Sequence, residues 1–220
     1  MGCINSTEAV RPKIYEYKGG SRAECKKPLE TLTDEELAGI PETGYLYDGL
    51  FVKFRVKKLY DGDTITIVFD IPDELGGGRA CRGYRIRGYD APEMKQSKKP
   101  PSGIDEKEWV DIRHKNKVLA TIAKLRLKKM LKNHDAYAYI EETPGKTHMN
   151  YGRLFGDILL FPRGHTNPRI ESGTSVSETM LREVKGCYPY GGATKKTPEE
   201  IAVLYDGSDE ELLLKLEATV

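Results

Sequence analysis

The chain has 220 residues, 38% of them hydrophobic and 31% charged, with the charges cancelling to a net +1. That length suits one domain with extensions, or at most two small ones, around a core of moderate size. Net charge does not mark a nucleic-acid binder, no apolar run reaches the roughly 20 residues of a membrane span, and the N-terminus lacks the apolar stretch of a secretory signal.

In chain order, Met1-Gly2-Cys3-Ile4-Asn5-Ser6 comes first. It matches the N-myristoylation pattern, with Gly2 exposed once Met1 is removed and Ser6 at the required place; Cys3 beside it suits S-palmitoylation. One acyl chain gives marginal membrane binding and a second makes it stable. In a eukaryotic or eukaryotic-virus source this predicts an intracellular protein held peripherally on the cytoplasmic face of a membrane; in any other source it predicts a cytoplasmic one.

Residues 1–48 read as a lipidated, largely flexible tether. Between 7 and 48 six Lys or Arg face nine acids, so the tail is no polybasic clamp. Thr33 followed by Asp34, Glu35 and Glu36 predicts one short helix.

Phe51–Tyr60 and Thr64–Phe69 are strands by their β-branched and aromatic content, joined by the hairpin signal Asp61-Gly62-Asp63. After Gly76-Gly77-Gly78, a third strand runs from Ala80 to Tyr89 and ends in a stiff turn, Asp90-Ala91-Pro92-Glu93. A lysine-rich loop with Pro100-Pro101 follows. Asp105 caps a long helix to about Asn133, in which Leu119, Ile122, Ala123, Leu127, Met130 and Leu131 form one apolar stripe. Asp105–Asn133 carries nine Lys or Arg against four acids, whereas Pro198–Val220 carries one Lys against seven acids.

Two further strands, Ala136–Glu141 and Arg153–Phe161, are joined by a turn through Gly145. A helix over Ser177–Val184 follows, then one opened by Thr197-Pro198-Glu199-Glu200 and an acidic one opened by a Ser208/Glu211 capping box. Five strands with a helix between the third and fourth predict an α+β fold, an OB-type barrel with about three helices. The barrel domain is expected over 49–205 and the acidic helix over 206–220.

The four cysteines, at 3, 25, 81 and 187, lack C-x-x-C or zinc-site spacing, and reduced thiols are expected. The histidines show no metal-site spacing either. What remains for chemistry is oxygen. Asp61 and Asp63 sit at one hairpin, Asp90 and Glu93 at the next turn, with Arg85 and Arg153 near in sequence or fold. Asp63 and Asp90 are the candidates for direct ligation of a hard cation, Ca²⁺ rather than Mg²⁺. Arg85 and Arg153 are candidate phosphate clamps. Taken singly, Asp-Gly-Asp is a turn and each arginine a solvated side chain; the combination points to a site.

The blocks Asp61-Gly62-Asp63-Thr64, Arg85 with Asp90-Ala91-Pro92-Glu93, and Tyr151-Gly152-Arg153 resemble, in order, those of the staphylococcal nuclease (thermonuclease) family. The resemblance spans about residues 50–200. It implies a Ca²⁺-dependent phosphodiesterase that cuts DNA and RNA without base specificity, with single-stranded or unpaired regions preferred and no obligate protein partner. By that resemblance Asp63, Asp90 and the Ala91 carbonyl hold Ca²⁺, with Asp61 behind them. Glu93 activates or positions water, and Arg85 and Arg153 bind the phosphate. Pro189-Tyr190-Gly191-Gly192 resembles the stretch whose Tyr contacts the nucleotide. Tyr188 and Tyr190 both qualify, while Gly186-Cys187 departs from the family's apolar residues. Lys95, Lys98, Lys99, Lys195 and Lys196 are candidates to line a nucleic-acid path. The rival expectations are a non-catalytic nucleic-acid-binding barrel and a membrane-tethered adaptor recruiting a partner through its acidic C-terminus.

Overall fold

The structure, a computed structural model, describes residues 13–16, 27–40, 45–141, 153–190 and 195–219. Gly2, Cys3, Tyr151, Gly152, Gly191 and Gly192 lie outside the described residues, as do Gly145 and His148.

A short lead-in comes first: β1 (Lys13–Glu16), α1 (Asp34–Gly39) and β2 (Tyr45–Asp48), with β1 and β2 pairing antiparallel. The barrel strands are β3 (Phe51–Leu59), β4 (Thr64–Asp70), β5 (Arg79–Ile86), β7 (Asp135–Ile140) and β8 (Leu154–Phe161), with the two-residue β6 (Tyr89–Asp90) and α2 (Glu106–Asn133) between β5 and β7. After β8 come β9 (Thr174–Ser175), α3 (Val176–Glu183), β10 (Tyr188–Pro189), α4 (Pro198–Ala202) and α5 (Ser208–Glu217).

β3, β4 and β5 form an antiparallel meander; β7 pairs antiparallel with both β3 and β8, and β8 pairs parallel with β5. The five strands therefore close into a mixed barrel, and the fold is α+β and OB-like.

Alternation explains the interior. Ile65, Ile67 and Phe69 on β4 point inward with Tyr84 and Ile86 of β5, Ala138 and Ile140 of β7 and Ile158 of β8, all fully buried. α2 closes one side. Asp105 accepts hydrogen bonds from the amides of Lys107 and Glu108 at 2.8 and 2.9 Å, and Ile122, Ala123, Leu127 and Met130 join the barrel core. Leu119 packs instead with Tyr188 and Ile201.

Three departures from the sequence reading have an identifiable cause. The third strand stops at Ile86, because Gly88 turns the chain at φ 93° before Tyr89 and Asp90 pair with β10. The helix expected from Ser177 starts at Val176 and is capped by Ser175. The Ser177 hydroxyl is committed elsewhere, to the Arg87 carbonyl and, at 2.8 Å, to Asp157. The Ser208/Glu211 box does not form. Asp206 accepts from the Ser208 amide at 2.9 Å while Asp209 accepts from the Asp206 amide at 2.8 Å. The Thr33/Glu36 and Thr197/Glu200 boxes do form.

The lead-in also departs from a flexible tether. Leu29, Leu32 and Leu37 are buried against Val68 and Cys81 on the outer side of β4 and β5. Arg55 donates to the Leu32 carbonyl and Lys57 to the Ile40 carbonyl, fastening this arm along β3. α5 is likewise no separate unit, since Leu216 is part of the barrel core.

Candidate active site

The hairpin between β3 and β4 and the turn after β6 meet at one end of the barrel. Gly62 is the contact point: a Cβ there would fall 2.7 Å from the Ala91 Cβ and 2.8 Å from the Ala123 Cβ, so only glycine lets hairpin, turn and α2 approach. The Tyr89 hydroxyl donates to the Gly62 carbonyl at 2.5 Å, and the Ile86 amide to the Asp63 carbonyl at 2.8 Å. These bonds fix the two acidic turns relative to each other.

Asp63 and Asp90 are both buried. The Asp63 carboxylate accepts from Thr64 Oγ1 at 2.8 Å, from the Ala91 amide at 2.8 Å and from Arg85 Nη1 at 2.5 Å. Arg85 Nη2 donates to Asp90 Oδ1. One guanidinium thus spans carboxylates from two turns, as its planar fork allows. Asp61 stands behind, accepting from the Asp63 amide at 3.2 Å. Glu93, half exposed at the rim, is ion-paired with Lys195.

Acid outweighs base here. Burial pushes the Asp61 carboxyl up from 3.8 to about 7, reinforced by the negative charge of Asp63. Burial also raises Asp90, the Arg85 charge offsetting it only in part. For Arg85 burial works against the charge, but the surrounding carboxylates, Asp63 and Asp90 foremost, overcome it and raise its pKa further.

Arg153 comes from the start of β8. Its stem crosses Gly83, whose added Cβ would lie 2.9 Å from Arg153 Cγ, on the same face of β5 as Arg85 two residues on. Of the two tyrosines, Tyr188 is taken up in packing. It is 9% exposed, lies against Leu119 and Ile201, and accepts from the Lys196 amide at 3.0 Å. Tyr190 is 48% exposed, with its ring edge-on to Phe155 at 6.5 Å. Phe155 is the register partner of Arg85, so that ring stands beside the arginine.

The donor set suits a hard cation in kind: two buried carboxylates aim oxygens at a common positive group, Arg85. Among the described residues no three His, Cys, Asp or Glu side chains are grouped to hold a metal ion. Asp63 and Asp90, with a backbone oxygen such as the Ala91 carbonyl, are the residues that would hold a cation here. Neither His114 nor His134 contributes: His114 Nε2 lies 3.0 Å from Glu210 and His134 Nδ1 2.9 Å from the Met130 carbonyl.

Sequence reasoning missed three participants. Tyr89 acts through a hydroxyl that no motif announces, and Thr64, quoted within the Asp-Gly-Asp-Thr block but given no role, donates to Asp63. Lys195, expected along a nucleic-acid path, pairs with Glu93 across 102 residues of chain. Its only signal was a basic pair beyond Tyr190.

Cys81 and Cys187 are free thiols, and burial pushes the Cys187 thiol up. No helix among the described residues is long and apolar enough to cross a membrane. No protein-family model matches the chain, and no curated protein matches it.

Proposed function

We propose that this protein is a Ca²⁺-dependent phosphodiesterase that cuts DNA and RNA with little base specificity, tethered to a membrane through acylated Gly2 and Cys3. The observation that carries the reading is the single Arg85 guanidinium spanning Asp63 and Asp90, with Glu93 at the rim of the same cluster. Structural ion pairs alone account poorly for it. Four carboxylates at one barrel end, two of them buried, cost stability unless positive charge compensates them.

Asp63 and Asp90 would hold Ca²⁺, which would supply positive charge to polarise a phosphate oxygen and offset the charge gathering on five-coordinate phosphorus. Arg85 and Arg153 offer guanidinium donors on the same face of the sheet, where a phosphate can take them in pairs. Glu93 is open to water and set beside Lys195; it orients the attacking water or takes its proton. Tyr190 offers an exposed ring for an unpaired base to stack on, which favours single strands.

The test is incubation of the purified protein with plasmid and heat-denatured DNA in Ca²⁺, Mg²⁺ or chelator. Cleavage is expected in millimolar Ca²⁺ and loss of it in chelator, with Glu93→Gln lowering the rate about 10²–10⁴-fold. Full-length DNA persisting in Ca²⁺ removes the activity. If binding survives without cleavage, the barrel is a non-catalytic nucleic-acid module. For the anchor, Gly2→Ala is expected to move the protein from the membrane to the soluble fraction; an unchanged distribution removes it.

A further inference from the structure

A cavity of about 230 Å³ opens beside the acid cluster, with Glu93 as one wall. Its roof is the loop after Glu93. That loop is tied to α2 on both flanks, by the Trp109 indole N–H donating to the Ser97 carbonyl at 3.1 Å and by Thr121 Oγ1 lying 4.0 Å from Met94 Sδ. Its floor is one stripe of α2: Val110, Arg113 and Lys117, with His114 at the edge. Positions i, i+3 and i+7 share a helix face.

Three features set this cavity apart. Arg113 and Lys117 both line the cavity and make no ion pair or side-chain hydrogen bond among the described residues. Gln96 carries a buried Oε1 with no hydrogen-bond partner. Val110, 58% exposed, adds an apolar surface next to both cations. Two free cations about 6 Å apart along the helix axis, an acceptor lacking a donor and a patch of hydrocarbon match a sugar phosphate. The His114 imidazole is turned to Glu210 and Tyr205 and takes no part.

We propose that this cavity is a subsite for the nucleotide next to the scissile phosphate, its phosphate held by Arg113 and Lys117 and a sugar hydroxyl or base amino group donated to Gln96. The assignment rests on the phosphodiesterase reading and extends it. The substrate is a strand with at least one further phosphate on this side, not a mononucleotide diester. Glu93 is the shared wall, so a strand lying across Arg85 enters the cavity without leaving the surface. The cations also draw the next phosphate past the carboxylates that would repel it.

The experiment uses the full-length protein and three readouts. The first is fluorescence anisotropy of a labelled oligothymidylate in chelator, where nothing is cut. The second is the slope of log affinity against log salt. The third is the ratio of kcat/KM for the oligonucleotide to kcat/KM for bis(p-nitrophenyl) phosphate, a diester with no flanking nucleotide. Arg113→Ala and Lys117→Ala are each expected to weaken oligonucleotide binding roughly tenfold, the worth of one charged hydrogen bond. Each is expected to flatten the salt slope by about 0.7 and to lower the kinetic ratio about as much as binding. Gln96→Leu is expected to weaken binding without changing the salt slope; unchanged binding with a raised Tm removes Gln96 from the subsite. Unchanged anisotropy and ratio in the Arg113→Ala/Lys117→Ala double variant overturn the subsite while leaving the activity standing. Wild type that cuts neither diester, with the variants still binding weakly, overturns the activity and leaves the strand contact.

Discussion

Asp61 stands where burial and neighbouring charge act together. Its carboxyl titrates near 7 in the folded protein against 3.8 in an unfolded chain. A raised carboxyl pKa means that the folded state holds a proton the unfolded state releases. Stability therefore falls as pH rises from about 4 to about 7, and the difference corresponds to at most about 4 kcal/mol. Asp61→Asn is expected to flatten that part of the curve and to raise stability at pH 8, read from urea unfolding at pH 5 and pH 8. Equal slopes in wild type and variant would show that Asp61 ionises freely. At this scale the acids were legible because Asp-Gly-Asp and Asp-Ala-Pro-Glu are compact in sequence. Lys195 and Tyr89 were not: their roles are set by a pairing of distant segments, which no local spacing encodes. Tyr188 and Tyr190 were indistinguishable on the same ground, since both sit in one polar, aromatic stretch and only packing separates them.

Among the elements, the helices were read best, because Asp105, Thr33 and Thr197 are local signals that act within four residues. Elsewhere other contacts decided: the Ser177 hydroxyl was drawn to Arg87 and to Asp157 of β8, and Asp206 bonded the Ser208 amide locally. The arm at 27–40 was read as tether because its leucines are few and widely spaced. They are buried all the same, since β4 has apolar residues on both faces and Val68 needs a cover. Leu37→Ala should then cost about 2–5 kcal/mol, as for other buried leucines, seen as a lower urea midpoint. A midpoint within error of wild type would return this segment to the status of a linker.

For the molecule as a whole, the closed barrel was legible from strand order, while the identity of any bound ion was not, because carboxylates alone do not name their partner. Linkage supplies a measurement. A cation that binds only the folded state at a hundredfold excess over its Kd stabilises by about 2.7 kcal/mol, or about 5–10 °C in Tm for a chain of this size. Millimolar Ca²⁺ is expected to raise the melting temperature by that order, and Asp63→Asn with Asp90→Asn to abolish the increment. Superimposable melts with Ca²⁺ and with chelator would count against Ca²⁺ at these acids.

The parallel seam between β5 and β8 sets a schedule for biosynthesis. Arg85, already paired with Thr64 of β4, gains its second sheet neighbour only when Phe155 has emerged from the ribosome, long after Asp63, Asp90 and Glu93 have been made. Until then the free edge of β5 stays bare and open to pairing with other chains, even once β7 has covered β3. A nascent or truncated product that ends before Leu154 therefore carries every acid of the cluster on a sheet that cannot shut, and it should depend on chaperones in a way the finished protein does not.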